Sequence, residues 1–271
     1  MNIESALKYS SAILNEQRSG EILLAHILKK PRAYLYTYPE KNLTPEEVNS
    51  FETLIARRKQ GEPIAYILGE QEFYSLNFKV TRDTLIPRPE TEMLVDEALK
   101  LIPEAPCQVL ELGTGSGTVA VTLAKLKLNT YVIATDISNA ALEVAKENAR
   151  NHQIKNIEFM ISDWFSNIKS KTFDMIISNP PYIAQDDPHL ENLSYEPMNA
   201  LTSGVEGLDD LSHIISHAAD YLKPNGWLLL EHGFDQKESI QTLFKNAKFK
   251  DIQTLSDLAG QPRITMGQKA C

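Results

Sequence analysis

The feature that most restricts the fold is a regular alternation of short apolar segments with helical segments after residue 105. The apolar segments are four to six residues long and rich in β-branched side chains, which is typical of buried strands. Strands that alternate with helices form a parallel sheet with helices on both faces. The sequence therefore predicts an α/β fold with a doubly wound, seven-stranded and mostly parallel sheet. The predicted strands are 109–112, 131–135, 157–161, 173–178, 227–231, 251–255 and 263–266.

The first part of the chain has a different periodicity. Residues 1–62 carry apolar stripes at helical spacing, and Thr44, Pro45 and Glu47 have the spacing of a capping box, so this segment is predicted to be a small helical domain. Residues 63–85 are predicted to be a β-hairpin linker, with strands over 65–69 and 73–80. Residues 86–271 then form the sheet domain.

Composition restricts the class of protein. The 36 acidic and 27 basic side chains give a net charge of −9 at pH 7, which disfavours an extended nucleic-acid-binding face. The two cysteines, Cys107 and Cys271, support neither a disulfide framework nor a cysteine metal site. The amino terminus lacks the pattern of a signal peptide, and no apolar stretch approaches the length of a membrane span. We therefore expect a cytoplasmic protein.

Each of the first four predicted strands ends in residues that are able to contact a ligand. The carboxyl ends of parallel strands lie at one edge of a sheet, which is where ligands bind in such folds. We therefore expect these residues to form one site. In strand order they are Gly113-Thr114-Gly115-Ser116-Gly117, Asp136, Asp163-Trp164 and Asn179-Pro180-Pro181-Tyr182.

The glycine loop and Asp136 indicate a nucleoside ligand. Asp136 follows the loop by about 20 residues, the spacing at which a carboxylate accepts hydrogen bonds from ribose hydroxyls. Gly117 comes one residue too early for a dinucleotide fingerprint, and no Lys-Ser/Thr pair follows to make a P-loop. These exclusions leave a nucleoside ligand without phosphates. Its adenine would contact Asp163 and Trp164, and its charged tail would lie near Glu111. S-adenosylmethionine has those parts.

The Asn179-Pro180-Pro181-Tyr182 segment suits a planar NH2 group. Neither proline has a backbone N–H, so the turn offers mainly acceptors, among them the Asn179 side-chain oxygen and the Pro180 carbonyl. If these two oxygens accept the two hydrogens of an NH2 group, its nitrogen is held for attack on a methyl donor, and Tyr182 can lie against its planar face. The alternative interpretation is that Asn-Pro-Pro is only a turn.

Several segments of the sequence resemble those of a known protein family. The segment 111–117 with Asp136 is similar to the cofactor half of class I methyltransferases, and 179–182 is similar to the motif of amino-methyltransferases that act on planar nitrogen. Six further segments resemble the HemK/PrmC proteins, which methylate the glutamine N5 in the Gly-Gly-Gln loop of class I peptide chain release factors. They are 61–69, 87–92, 195–197, 200–201, 207–208 and 257–263.

The resemblance implies a Rossmann-like class I methyltransferase domain, an amino-terminal domain that binds the release factor, and no stable nucleic-acid partner. It assigns catalysis to Asn179 and Pro180, and substrate binding to residues 179–182. The implied cofactor residues are Glu111, Gly113, Thr114, Gly115, Ser116, Gly117, Asp136, Asp163, Trp164 and Asn179. Ser203 departs from the family pattern, which has glycine there.

Several alternatives stay open at the level of the sequence. The same tetrapeptide occurs in adenine-N6 methyltransferases of nucleic acid, and a non-catalytic nucleoside-binding module would share the glycine loop. Trp164 could pack at the sheet edge rather than contact adenine, and Glu111 could support a helix dipole. His213 and His217 lie four residues apart in a predicted helix, yet no carboxylate accompanies them as in zinc motifs.

Overall fold

The structure is a computed structural model that describes residues 1–169 and 172–270. Its contacts divide the chain into two compact units, residues 1–70 and residues 71–271. Cys107 is buried with a free thiol, whereas Cys271 lies outside the described residues. In the described part of the chain, no helix combines the length and apolarity needed to cross a membrane.

The first unit is helical and extends to residue 70, beyond the predicted domain end at residue 62. Its core contains buried apolar side chains from several helices, including Ile3, Leu24 and Phe51. The predicted capping box is present: the Thr44 hydroxyl accepts from the Glu47 N–H, and the Glu47 carboxylate accepts from the Thr44 N–H. The helices are α1 (Ile3–Leu14), α2 (Arg18–Leu28), α3 (Arg32–Thr37), α4 (Pro45–Lys59) and α5 (Ile64–Leu68).

The prediction of a strand over 65–69 is wrong, because Ile64–Leu68 is helix α5. Pro63 precedes the helix in an extended conformation, and Gly69 ends it in the left-handed conformation that glycine favours. A short apolar run is ambiguous between strand and helix, and here the two flanking residues decide. The hairpin instead pairs β1 (Glu70–Phe73) with β2 (Leu76–Lys79).

The second unit contains the predicted seven-stranded sheet, with strand order β5-β4-β3-β6-β7-β9-β8. The strands are β3 (Cys107–Leu112), β4 (Thr130–Asp136), β5 (Ile157–Ile161), β6 (Phe173–Ser178), β7 (Leu222–Glu231), β8 (Phe249–Ser256) and β9 (Pro262–Lys269). All pairs from β5 to β7 are parallel, and β9 runs antiparallel between β7 and β8. The helices are α6 (Glu92–Leu101), α7 (Thr118–Leu126), α8 (Asn139–Asn151), α9 (Asp209–Tyr221) and α10 (Lys237–Asn246).

The strand order places a topological switch point between β3 and β6. From β3 the chain winds outward through β4 to β5, then returns to the other side of β3 with β6. In open α/β sheets, the crevice at the carboxyl ends of two such strands is the place where ligands bind. The glycine loop follows β3 and Asn179 follows β6, so the predicted site residues lie at this crevice.

One buried side chain connects the hairpin to the glycine loop. The fully buried Asn148 on α8 accepts from the Lys79 N–H at 2.8 Å and donates to the Lys79 carbonyl at 2.9 Å. The same amide donates to the Ser116 carbonyl at 2.8 Å. Phe73 and Phe78 of the hairpin pack in the core of the sheet. The hairpin is thus part of the structure that supports the site.

Candidate active site

A cavity of about 250 Å³ opens at the switch point, and its wall includes residues that follow each of the first four strands. Ten of the sequence-predicted residues line it: Glu111, Gly113, Thr114, Gly115, Ser116, Asp136, Asp163, Trp164, Asn179 and Pro181. Gly117, Pro180 and Tyr182 lie outside the wall described for this cavity. The structure therefore brings most of the predicted site together at one sheet edge.

The glycines of the loop have different structural roles. Gly117 has a φ of +83°, and a Cβ at this position would lie 3.0 Å from the Ala145 Cβ on α8. Gly117 therefore allows α7 and α8 to approach closely, which explains why it lies behind the cavity. Gly115 has a φ of +56° and open space around its Cα, so the backbone here can approach a ligand.

Asp136 orients the glycine loop as well as facing the cavity. Its Oδ2 accepts from the Gly115 N–H and its Oδ1 from the Ser138 N–H, both at 2.8 Å. A carboxylate oxygen has two lone pairs, so each can accept a further hydrogen bond from a ribose hydroxyl. Burial raises the pKa of Asp136, partly offset by these backbone donors.

Glu111 lies at the end of β3 with its side chain buried. Its Oε2 accepts from the Thr114 hydroxyl and from the Ala120 N–H in the first turn of α7. Burial raises its pKa to about 8, which these two hydrogen bonds partly oppose. The hydrogen bond to the first turn of α7 agrees with a role of Glu111 in supporting that helix. Its position on the cavity wall agrees with a role in contacting the ligand.

Trp164 is held beside the glycine loop by α9. Its indole Nε1 donates to the Asp210 carboxylate at 3.0 Å, and a Cβ on Gly113 would lie 3.5 Å from its ring. Its backbone has a φ of +43°, an unusual conformation for a bulky residue and a common one at functional sites. Asp163 is exposed beside it. These two residues form the end of the cavity that the sequence assigns to adenine.

Asn179 is fixed by a residue that the sequence analysis did not single out. Its Nδ2 donates to the hydroxyl of Thr91 at 3.2 Å, and Thr91 lies in a short 3-10 helix, Pro89–Thr91. Because Nδ2 points to Thr91, the other branch of the amide, Oδ1, is the acceptor that Asn179 can offer to the cavity. Residues 91 and 179 are 88 positions apart, so only the fold brings them together.

Tyr182 and Pro180 are not among the residues that line the cavity, and Tyr182 is half-buried. Pro180 is buried, and the Tyr182 hydroxyl donates to Glu231 Oε1 at 3.3 Å. Burial raises the pKa of Tyr182, and the Glu231 charge raises it further. Gln236 Nε2 donates to the Tyr182 carbonyl at 2.9 Å, which fixes the turn after the two prolines. Tyr182 is therefore neutral at physiological pH.

Arg88 is paired with a buried carboxylate. Its guanidinium donates to Glu196, whose other oxygen accepts from the Ile86 N–H at 3.0 Å. The pair joins two of the segments that resemble the HemK/PrmC proteins, 87–92 and 195–197, along one side of the cavity. Arg88 is thus held in place by an ion pair with a buried carboxylate.

His213 and His217 are adjacent on α9. Their ring centroids are 4.4 Å apart, and a ring nitrogen of His217 is hydrogen-bonded to the His213 carbonyl at 2.8 Å. Among the described residues, no group of three or more potential metal-ligand side chains converges, here or elsewhere.

The cavity fits a cationic nucleoside. Two of its carboxyl groups, Glu111 and Asp136, have raised pKa values because burial leaves their charge poorly compensated. A ligand with a positive charge would relieve that cost. The Asp136 oxygens retain acceptor capacity for a ribose diol, and Ile137 adds an exposed apolar side chain beside them.

Family models match both parts of the chain. The PrmC N-terminal domain model matches residues 3–69, and a methyltransferase domain model matches residues 103–267. A methyltransferase from Pyrococcus furiosus shares the fold at a TM-score of 0.57 and 19% identity, covering 80% of this chain and 98% of that one. A T. thermophilus 16S rRNA methyltransferase, solved with AdoMet and guanosine, has a TM-score of 0.55 at 20% identity, covering 74% and 49%. The fold and the cavity define a methyltransferase that uses S-adenosylmethionine.

Relatives that align over almost the whole chain show which family of methyltransferases it belongs to. Release factor glutamine methyltransferases from Aliivibrio fischeri, Coxiella burnetii and Escherichia coli are 43%, 46% and 40% identical to this chain. The alignments cover 99%, 92% and 98% of this chain, and 98%, 91% and 97% of those proteins. The chain belongs to the release factor glutamine methyltransferase family.

Proposed function

We propose that this chain transfers a methyl group to the side-chain nitrogen, N5, of the glutamine in the Gly-Gly-Gln loop of class I peptide chain release factors. The observation that best supports this substrate is the orientation of Asn179. Its Nδ2 is directed to Thr91, so Oδ1 is the acceptor at the cavity. An acceptor there suits the NH2 of a primary amide.

The chemical problem is that an amide nitrogen is a weak nucleophile, since its lone pair is delocalised into the carbonyl. Asn179 Oδ1 and the Pro180 carbonyl accept the two N–H hydrogens, which turns the nitrogen lone pair toward the cavity. Tyr182 lies against the planar amide and remains a neutral hydroxyl. These residues therefore position the nitrogen rather than deprotonate it.

S-adenosylmethionine supplies an electrophilic methyl group on a positively charged sulfur. When bound, it would give this methyl group to the nitrogen that Asn179 and the Pro180 carbonyl hold, the N–C bond replacing the S–C bond and the positive charge passing to nitrogen. The nitrogen would then release one of its two protons to water, which leaves the neutral N-methyl amide. Because no net charge is created, exclusion of water favours the step over charge-separating side reactions.

The proposed cofactor contacts follow the same geometry. Asp136 accepts from the ribose hydroxyls, Trp164 and Asp163 contact adenine, and the loop backbone approaches the amino-acid tail near Glu111. The full proposed set is Glu111, Gly113, Thr114, Gly115, Ser116, Gly117, Asp136, Asp163, Trp164 and Asn179. Gly117 acts by packing α7 on α8 rather than by contact.

The amino-terminal helical domain, residues 1–62, is proposed to contribute to release factor binding. The match of residues 3–69 to the PrmC N-terminal domain supports a role specific to this family. Hydrogen exchange of the full chain, with and without release factor, should show added protection in this segment. The net charge of −9 supports a protein substrate without a stable nucleic-acid partner, and a substrate from the translation machinery supports a cytoplasmic location.

The decisive experiment measures transfer of labelled methyl from S-adenosylmethionine to a purified, unmodified class I release factor. A release factor with its Gly-Gly-Gln glutamine replaced by alanine is the matched control, and duplex DNA is the second. We expect label on the intact factor alone. Label on the alanine variant would place the methyl elsewhere, and label on DNA would favour the adenine-N6 alternative.

A further inference from the structure

Glu231 is a buried carboxylate beside the site that the proposed reaction does not use. It is the last residue of β7, and its neighbour Leu230 pairs with Ser178 of β6, so it lies alongside the start of the 179–182 turn. Only 1% of Glu231 is exposed. A buried carboxylate costs stability unless it is well paired, so its position calls for an explanation.

The two oxygens of Glu231 are unequally satisfied. Oε1 accepts from the Tyr182 hydroxyl at 3.3 Å, a long hydrogen bond. Within residues 1–169 and 172–270, Oε2 has no partner of full hydrogen-bond geometry. The Thr91 hydroxyl is nevertheless near enough to lower the pKa of Glu231, although the two side chains make no hydrogen bond of ordinary geometry. The carboxylate thus lies between two hydroxyls, Tyr182 and Thr91.

Thr91 is the link from Glu231 to Asn179. A hydroxyl has one hydrogen to donate, and the Thr91 oxygen already accepts from Asn179 Nδ2 at 3.2 Å. Its own hydrogen therefore points elsewhere, and we infer that it is directed to Glu231, whose pKa it lowers and whose Oε2 has no other partner among the described residues. An acceptor at that place favours the Thr91 rotamer that receives the Asn179 NH2. This arrangement keeps Asn179 Oδ1 directed to the cavity.

We propose that Glu231 is a positioning residue for methyl transfer: its carboxylate orders the Thr91 and Tyr182 hydroxyls, and through them holds Asn179 and the Tyr182 ring against the substrate amide. The role rests on the proposed function. The ionised form is the active one, because two hydrogen-bond acceptors are needed and because a negative charge favours the positive charge that moves to the amide nitrogen.

The ionisation of Glu231 falls in an accessible range. Burial raises its pKa to about 7, whereas hydrogen bonds from Thr91 and Tyr182 and the charge of Arg263 lower it, and the charge of Glu90 raises it. Arg263 itself is hydrogen-bonded to Asp257 at 3.0 Å, so its charge is shared. The fraction of enzyme with an ionised Glu231 therefore increases as the pH rises through neutrality.

The kinetic test compares Glu231→Gln with the wild type and with Glu97→Gln, a carboxylate on α6 that pairs with Lys100. Glu231→Gln is expected to lower kcat by about 10- to 100-fold while the Kd for S-adenosylmethionine changes less than twofold. The wild-type kcat should rise between pH 6 and pH 8 with a midpoint near 7, and this step should be missing from the Glu231→Gln profile, whereas any change that comes from Glu111, whose pKa is raised to about 8, should be common to both enzymes. Equal kcat values with equal pH profiles would overturn the proposal.

A second arm tests the route through Thr91. Thr91→Val removes the hydroxyl, whereas Thr91→Ser keeps one. We expect Thr91→Val to lower kcat and Thr91→Ser to keep kcat close to the wild-type value. The double variant Thr91→Val/Glu231→Gln should have a kcat only slightly lower than that of either single variant, because the two residues act as a unit. Fully additive losses would contradict the link.

A third readout does not depend on turnover, so it separates failure of this proposal from failure of the proposed function. The Asn179 side-chain NH2 resonances, assigned with Asn179→Ala, should shift with a midpoint near pH 7 in the wild type. In Glu231→Gln that titration should disappear. A wild-type resonance that stays fixed from pH 6 to pH 8 would overturn the proposal even if the enzyme methylates release factor.

Discussion

Asn179 carries the most demanding part of the proposed chemistry, because one acceptor oxygen must both hold and orient a substrate N–H. Asn179→Ala removes that oxygen and leaves the Thr91 hydroxyl without its donor. We expect kcat to fall by about 100-fold or more, the size seen when one preorganised hydrogen bond is removed from a reacting centre. The measurement is single-turnover methyl transfer with saturating cofactor.

The control for Asn179→Ala is cofactor binding, measured by calorimetry. Asn179 is one of ten proposed cofactor residues, so we expect S-adenosylmethionine to bind with an affinity within about tenfold of the wild type. Near-normal turnover with intact binding would exclude the positioning role. Asn179→Asp is a useful companion, because it keeps the shape of the side chain and loses the donor to Thr91.

Trp164 offers a test between adenine contact and simple packing. Its ring borders the loop at Gly113 and its Nε1 donates to Asp210. If the ring contacts adenine, Trp164→Phe keeps an aromatic face and lowers cofactor affinity by only a few fold, whereas Trp164→Ala lowers it by about tenfold or more. The measurement is the Kd for S-adenosylmethionine, with the unfolding temperature as control. Similar affinities in both variants would favour packing alone.

At this scale, the sequence predicts the position of residues that directly follow a strand. The glycine loop, Asp136 and residues 179–182 each follow a strand directly, so the fold class alone predicts that they meet. Thr91 and Glu231 escape prediction because their partners are distant: 88 residues separate Thr91 from Asn179, and 49 separate Tyr182 from Glu231. A buried acid at a strand end was the only available signal for Glu231.

At the scale of elements, α9 is the helix that connects the loop after β6 to the adenine end of the cavity. The Ser203 hydroxyl accepts from the Asp210 N–H at 2.8 Å, which satisfies one of the free donors in the first turn of α9. Asp210 in turn accepts from Trp164 Nε1. The departure from glycine at position 203 therefore supplies a hydrogen bond that glycine would not.

Ser203→Ala is expected to lower the free energy of unfolding by about 1 kcal/mol, the usual cost of losing a side-chain acceptor at a helix start. The variant should also weaken cofactor binding by a few fold, because Asp210 holds Trp164. Chemical denaturation and calorimetry measure the two effects. Thr202→Ala is a matched control, since that hydroxyl donates to the Met198 carbonyl outside α9. Equal losses in the two variants would argue against a specific role for Ser203.

Sequence periodicity predicts the long elements of this fold correctly and fails for the shortest one. The sequence predicts all seven strands of the large sheet because each is a short, mainly apolar run, and the first five alternate with helical segments. The segment 65–69 is predicted to be a hairpin strand from its aromatic and β-branched residues, and that prediction is wrong: Ile64–Leu68 is a helix, with Pro63 at its start and Gly69 at its end. Five residues are too few for helical periodicity to register. Terminal residues therefore outweigh composition in the shortest elements.

At the scale of the whole molecule, the site combines acids whose ionisation opposes folding. Burial raises the pKa values of Glu111, Asp136 and Glu231, all at the carboxyl edge of the sheet. The chain already has a net charge of −9, so further ionisation adds to its self-repulsion. The binding of a cationic cofactor offsets part of this cost, and ligand at 100 times its Kd adds about 2.7 kcal/mol to the free energy of unfolding.

Glu231 permits a direct measurement of the conflict between stability and function. Its pKa is about 7 in the folded chain against an ordinary value of 4.5, so the folded state binds more protons than the unfolded state between these pH values. Its contribution to stability is therefore present at low pH and is lost as the pH rises through 7. Glutamine has no proton to lose, so Glu231→Gln should gain stability relative to the wild type as the pH rises.

We expect the difference in unfolding free energy between Glu231→Gln and the wild type to shift in favour of the variant by on the order of 2 kcal/mol from pH 5 to pH 8. Urea denaturation at both values measures it, and Glu97→Gln, a change of equal charge on α6, controls for the net charge. A variant that is more stable yet slower at pH 8 would mean that the carboxylate is kept for the reaction, because folding alone would favour its replacement. A pH-independent difference would mean that Glu231 ionises as readily in the folded chain as in the unfolded one, and its charge would then cost the fold nothing.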